Sequence, residues 1–124
     1  MMRLLPLLLL AACAPDWTAP AEAVRFDPPP EYRVWWAEAS ACIGRREWVP
    51  FEHIRWFVVP ERIRATDGQL HGALTDGTDI YLWERNTGIP WVIQHELAHA
   101  ITRLDNTHPA DPFLRCGLMG IETP

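Results

Sequence analysis

The chain has 124 residues, a net charge of −5 and 11 basic residues, every one an arginine. That length holds one domain at most. The arginines are scattered and form no basic stripe, so no electrostatic footprint for nucleic acid is present.

Residues 1–12 (MMRLLPLLLLAA) have an early Arg, a leucine-rich middle and small residues at the end, the layout of a signal peptide. The stretch is shorter than the roughly 20 apolar residues that a membrane-spanning helix needs. Leu10-Ala11-Ala12-Cys13 looks like a bacterial lipobox, which makes Cys13 the lipidated first residue of the mature protein. Acyl chains contribute about 0.8 kcal/mol per buried CH₂, so several on one Cys form a stable membrane anchor. The expected location is the bacterial cell envelope, at the outer membrane or cell surface rather than in the cytoplasm. An ordinary signal peptide with an incidental Cys is the plainer alternative. After Cys13, residues 13–28 are rich in Pro and Ala and read as a tether. The domain is expected over residues 29–124.

Residues 31–43 carry Val34, Trp35, Ala39, Cys42 and Ile43 at helical spacing, and Gly44 is a stop signal. Residues 52–59 are β-branched and aromatic and end at Pro60, which predicts a strand. Asp67-Gly68 and Asp76-Gly77 are turn signals, with room between them for a short edge strand at residues 69–74. Residues 79–83 (DIYLW) predict another strand. Pro90 suits a first helical turn, and residues 89–104 form the longest helical pattern, with Val92, Ile93, Leu97, Ala100, Ile101 and Leu104 as its apolar stripe. Residues 105–124 have no strong period. The expected class is α+β: an N-terminal helix, a small, mostly antiparallel sheet, a second helix and a loop-rich C-terminal tail. The seven Trp suit a compact core, and some of them a substrate groove.

Two cysteines, Cys42 and Cys116, remain besides Cys13. An exported chain meets an oxidising compartment, where such a pair usually bonds; two unpaired thiols are the alternative. A bridge closing so long a loop contributes on the order of 4 kcal/mol in the chain-entropy model.

The chemistry concentrates in His95-Glu96-Leu97-Ala98-His99. Four residues along a helix turn the direction by about 40° net, so both imidazoles can converge on one metal ion. Glu96, one step round, can reach a water at that ion without ligating it, as a general base must. Two unrelated helix-face histidines are the alternative.

This motif, with strands before it, resembles the zincin metallopeptidases over about half of the mature chain. The resemblance implies a minimal zincin-like domain, Zn²⁺ as cofactor, a peptide or protein substrate and Glu96 as the catalytic base; the expected protein is a monomer that meets the membrane through its lipid anchor. It also implies that the strand at residues 79–83 is the sheet edge beside the cleft, where an extended peptide adds as a strand. A catalytic zinc needs a third protein ligand. Asp105 stands where the extended metzincin pattern has its third ligand, but Thr102 replaces that pattern's turn-forming Gly. Small bacterial lipoproteins that look like this chain combine HExxH with a downstream His-Pro, Phe and Cys, here His108-Pro109, Phe113 and Cys116. His108 is therefore favoured, with Asp105 the alternative; in that case Asp105 would cap the helix or orient a ligand, and the Cys42–Cys116 bridge would pin the His108 loop.

The remaining candidates are weaker. His53 reads as a partly buried strand residue, His71 as a surface or cleft residue, and Met119 as packing. Tyr81 could donate to a developing oxyanion if its ring faces the cleft, although an ordinary strand aromatic is the simpler reading. A different class of function also stands: a catalytically inactive zinc-binding lipoprotein serving as a binding or assembly module. A metal-free structural lipoprotein is a third.

Overall fold

The computed structural model describes residues 19–44, 49–103 and 108–119. Its class is α+β, as expected. Cys13, the leader and Asp105 lie outside the described residues.

Strand β1 (Val24–Arg25) leads into helix α1 (Pro30–Ile43). Pro30 opens α1, where a missing N–H costs nothing and its fixed φ is already helical. Gly44, at φ 111°, closes the helix and donates its N–H to the Ser40 carbonyl. The inward face differs from the expected stripe. Tyr32 is fully buried while Val34 is 55% exposed, because Tyr32, Trp35 and Ala39 share the side that meets Trp56. The Tyr32 hydroxyl donates to the Thr87 carbonyl, which lets so large a polar ring sit inside.

Strand β2 (Arg55–Val59) starts three residues later than predicted. Residues Phe51–His53 form a single tight turn instead, with the His53 N–H donating to the Pro50 carbonyl. His53 is thus an exposed turn residue and not a partly buried strand residue. A small hairpin follows, β3 (Ile63–Arg64) against β4 (Leu70–His71). Its turn is held by Asp67, whose carboxylate accepts the Gln69 N–H, and by Gly68 at φ 77°. After Gly72 come β5 (Ala73–Asp76) and β6 (Asp79–Trp83), a second hairpin turning at Gly77, φ 60°. Helix α2 (Pro90–Thr102) follows.

The four-stranded sheet has the order β1-β2-β6-β5. Most pairs are antiparallel, but the central pair, β2 with β6, is parallel. Arg55 and Asp79 mark its register with two bonds of 2.6 Å. This order overturns the expectation that residues 79–83 form the edge: β6 lies inside the sheet, and among the described residues β5 is the edge strand on its side, with β1 at the opposite edge. The tight Asp76–Asp79 hairpin forces β5 onto β6's outer side, once β2 has taken the inner one.

The interior placement explains the β6 sequence. Ile80 and Leu82 pack with Ile93, Leu97 and Ile101 of α2 and with Trp56 and Tyr32, while Tyr81 on the other face joins Val59, Ile63 and Leu74. A strand buried on both faces reads as a continuous apolar run. The second cluster, with Ile63 of β3, joins the β3–β4 hairpin to the sheet.

Candidate metal centre

Helix α2 runs with one face fully against the sheet and α1, burying Ile93, Leu97, Ala98 and Ala100. The spacing of four residues then directs His95 and His99 to the same side, one turn apart. Their Nε2 atoms are 3.2 Å apart. His108 arrives from beyond the helix, its Nε2 3.1 Å from each of the other two. The three histidines lie close enough to hold a metal ion.

Reversal at the end of α2 occurs at Arg103, in the left-handed region at φ 59°, with its N–H bonded to the His99 carbonyl at 2.8 Å. Glycine is the usual residue for that conformation, and a side chain there costs roughly 1 kcal/mol. The turn is therefore made without the glycine that the extended metzincin pattern puts at position 102. Arg103→Gly is expected to stabilise the protein by about 1 kcal/mol, read as a rise in Tm with unchanged metal content.

The surroundings fit a metal on two counts. Tetrahedral zinc with Zn–N bonds of about 2.0–2.1 Å requires ligand nitrogens about 3.3–3.4 Å apart, close to the separations present. The donor set is also prepared: His95 Nδ1–H donates to the Leu118 carbonyl at 2.6 Å, which leaves Nε2 as a lone pair facing the other two rings. Burial, reinforced by His99 and His108, pushes the His95 pKa down to about 4, so the ring is neutral at ordinary pH. Beneath all three lies Phe113, fully buried, its ring centroid 5.5, 4.9 and 5.2 Å from those of His95, His99 and His108. The apolar floor holds the rings apart from water on one side.

Glu96 is 7% exposed and accepts a hydrogen bond from the Thr75 hydroxyl of the edge strand. Burial pushes its pKa up to about 7, against the opposing pull of the Thr75 bond. The histidines and Glu96 open onto one cleft of about 430 Å³, walled by Ala73, Leu74 and Thr75 of β5 and by Thr66, Asp67 and His71 of the hairpin. His71 thus lies in the cleft wall, its Nε2 3.2 Å from the Asp67 carboxylate.

Cys42 and Cys116 form the expected disulfide, with Cα atoms 5.9 Å apart. The bridge ties α1 to the segment carrying Phe113 and Leu118. Tyr81 does not line the cleft; it stacks on Phe57 at 4.7 Å on the other face of the sheet, so it is the ordinary strand aromatic. Met119 is 38% exposed and not packed as expected. Thr75 and the Leu118 carbonyl were not foreseen. A threonine in an edge strand is unremarkable in sequence, and a backbone carbonyl leaves no residue-type signal at all.

Compared with known families, curated proteins and solved structures, the chain matches none of them.

Proposed function

We propose that this chain is a zinc-dependent peptidase with a minimal zincin-like domain, exported and held to a membrane through Cys13. The carrying observation is the convergence of three imidazole nitrogens beside a buried carboxylate in a cleft next to an edge strand. Only three metal-ligating side chains converge among the described residues, which suits a catalytic centre with a position left for water better than a closed structural one. A zinc site serving structure alone would have no use for Glu96, whose burial costs stability, so this arrangement also favours the enzyme over an inert binding module.

His95, His99 and His108 would hold the ion. When bound, zinc supplies Lewis acidity toward a carbonyl and makes water a stronger acid. Glu96 takes the proton from the attacking water and delivers it to the leaving amine, the two transfers a positioned carboxylate can make in turn. Thr75 aims that carboxylate, and the Leu118 carbonyl fixes the ring of His95. The unpaired side of β5, through Ala73 to Thr75, offers backbone groups to an extended peptide, which would lie across the cleft as an added strand.

Digestion of a mixed peptide library tests the reading. Hydrolysis is expected with the purified protein, is expected to vanish after treatment with a strong chelator, and is expected to return when zinc is added back. Hydrolysis that survives complete metal removal would sink the proposal. Mass spectrometry of the mature N-terminus tests the anchor: a Cys13 without acyl chains would remove it.

A further inference from the structure

Two of the large apolar side chains left exposed border the metal cleft, one in the first turn of α2 and one on β4. Trp91 is 46% exposed and Leu70 is 51% exposed. Trp91, His95 and His99 follow one another at intervals of four, so Trp91 continues the metal-facing side of α2 by one turn. Between Trp91 and Leu70 lies a hollow of about 260 Å³ that shares His71, Ala73, His95 and Glu96 with the metal cleft. The two hollows adjoin each other at these four residues.

Leu70 also borders a third hollow, a shallow groove on the far side of the hairpin, together with its cross-strand partner Arg64. Arg62 and Arg85 line the same groove, and both guanidinium groups are held over the Trp83 ring, 4.8 and 5.3 Å from its centroid. Stacking on an indole fixes a guanidinium in place and leaves its edge N–H groups pointing outward. Neither Arg62 nor Arg85 has an ion-pair partner among the described residues, although Glu61 and Glu84 lie in the same groove. Three arginines against two carboxylates make a locally cationic strip on a chain of net charge −5. Planar forks of donors, already ordered, match carboxylates.

We propose that the substrate is an acidic stretch of polypeptide: a bulky apolar side chain sits between Leu70 and Trp91, and carboxylates further along the same chain meet Arg62 and Arg85. The inference rests on the peptidase reading for the metal cleft and adds the class of sequence it accepts. The hollow adjoins Glu96, and Leu70 and Trp91 are its large apolar walls among polar neighbours, so its occupant flanks the bond to be cut. The arginines lie beyond the hairpin, so the acidic residues are several positions away from it. Leu70 borders both hollows and marks the path between them.

Binding tests this separately from cleavage. The full chain carrying Glu96→Gln, loaded with zinc, is titrated with fluorescent peptides that share a central Leu or Phe. They carry three Glu or three Gln residues on one side or the other. The acidic set is expected to bind about tenfold more tightly on one of the two sides, with the preference fading as salt rises. Arg62→Gln with Arg85→Gln is expected to remove that acidic-to-neutral ratio, and Trp91→Ser to weaken peptides with a large apolar centre more than those with Gly there. Thermal unfolding and zinc content show that each variant is folded. Equal affinity for acidic and neutral peptides, or a ratio unmoved by the double Arg variant, overturns the inference. If acidic peptides bind in this Arg-dependent way and the wild-type protein cleaves none of them, the groove assignment holds and the peptidase reading falls. If the wild-type protein cleaves peptides without regard to acidic residues, the peptidase reading holds and the groove assignment falls.

Discussion

Replacing Glu96 by Gln is expected to lower kcat by about 10²- to 10⁴-fold while zinc stays bound, the range a positioned general base contributes. Gln has the same shape and still accepts the Thr75 hydroxyl hydrogen, so the helix, the histidines and the cleft are preserved. What is lost is the proton acceptor. Peptide turnover and zinc content measured on the same sample check the pair of outcomes; turnover within a factor of about two of wild type would remove Glu96 from the mechanism. A stability effect accompanies the catalytic one. In the metal-free protein, burial raises the Glu96 pKa from 4.5 to about 7, so the folded state holds a proton that the unfolded chain releases between those values. The stability Glu96 contributes is therefore fully present below about pH 4.5 and lost as pH rises through 7. His95, with its pKa lowered, has the opposite slope at lower pH, but it is common to both proteins. The difference between wild type and variant isolates Glu96: the variant is expected to be the more stable at pH 8, with the gap closing as pH falls toward 4.5. Urea unfolding of both at the two pH values measures it.

Removing the disulfide is the second large effect. Cys42 and Cys116 are 74 residues apart, and a loop of that length gives a stabilisation of about 4 kcal/mol in the chain-entropy model. Small domains have only about 5–15 kcal/mol in total, so Cys42→Ser with Cys116→Ser is expected to leave a protein near its unfolding threshold. The damage is also local. Phe113, under the three imidazoles, and Leu118, whose carbonyl orients His95, flank Cys116 within three residues. Zinc affinity is therefore expected to fall along with Tm, and excess zinc to restore part of the lost stability. Unfolding followed by circular dichroism, with and without zinc, reads both. A double variant with wild-type Tm and wild-type zinc affinity would separate the bridge from the metal centre.

Local features of this fold were legible because local physics dictates them. The second helix was expected at residues 89–104 and runs Pro90–Thr102, since an apolar stripe and a first-turn Pro specify it within a dozen residues. Strand β6 is where its run of β-branched and aromatic residues places it, and both Asp-Gly pairs turn the chain. Pairing was not legible. The side-by-side placement of β2 and β6 depends on contacts 24 residues apart, such as Arg55 with Asp79, which no periodicity encodes. The consequence was functional: β5, and not residues 79–83, became the edge beside the cleft. In the site, His95, Glu96 and His99 were visible because one helix carries them, and His108 lies with them, while Asp105 is outside the described residues. Thr75 reaches Glu96 across 21 residues and the Leu118 carbonyl reaches His95 across 23, both through tertiary structure alone.

The central claim is that His95, His99 and His108 together hold zinc. Elemental analysis of the purified chain and of His95→Ala, His99→Ala and His108→Ala proteins tests it most directly. Zinc at one atom per chain is expected in the wild type, and a clear loss in each of the three variants, with His108→Ala as weak as the other two. A wild-type protein without zinc, or a His108→Ala protein that keeps its full complement, would contradict the account.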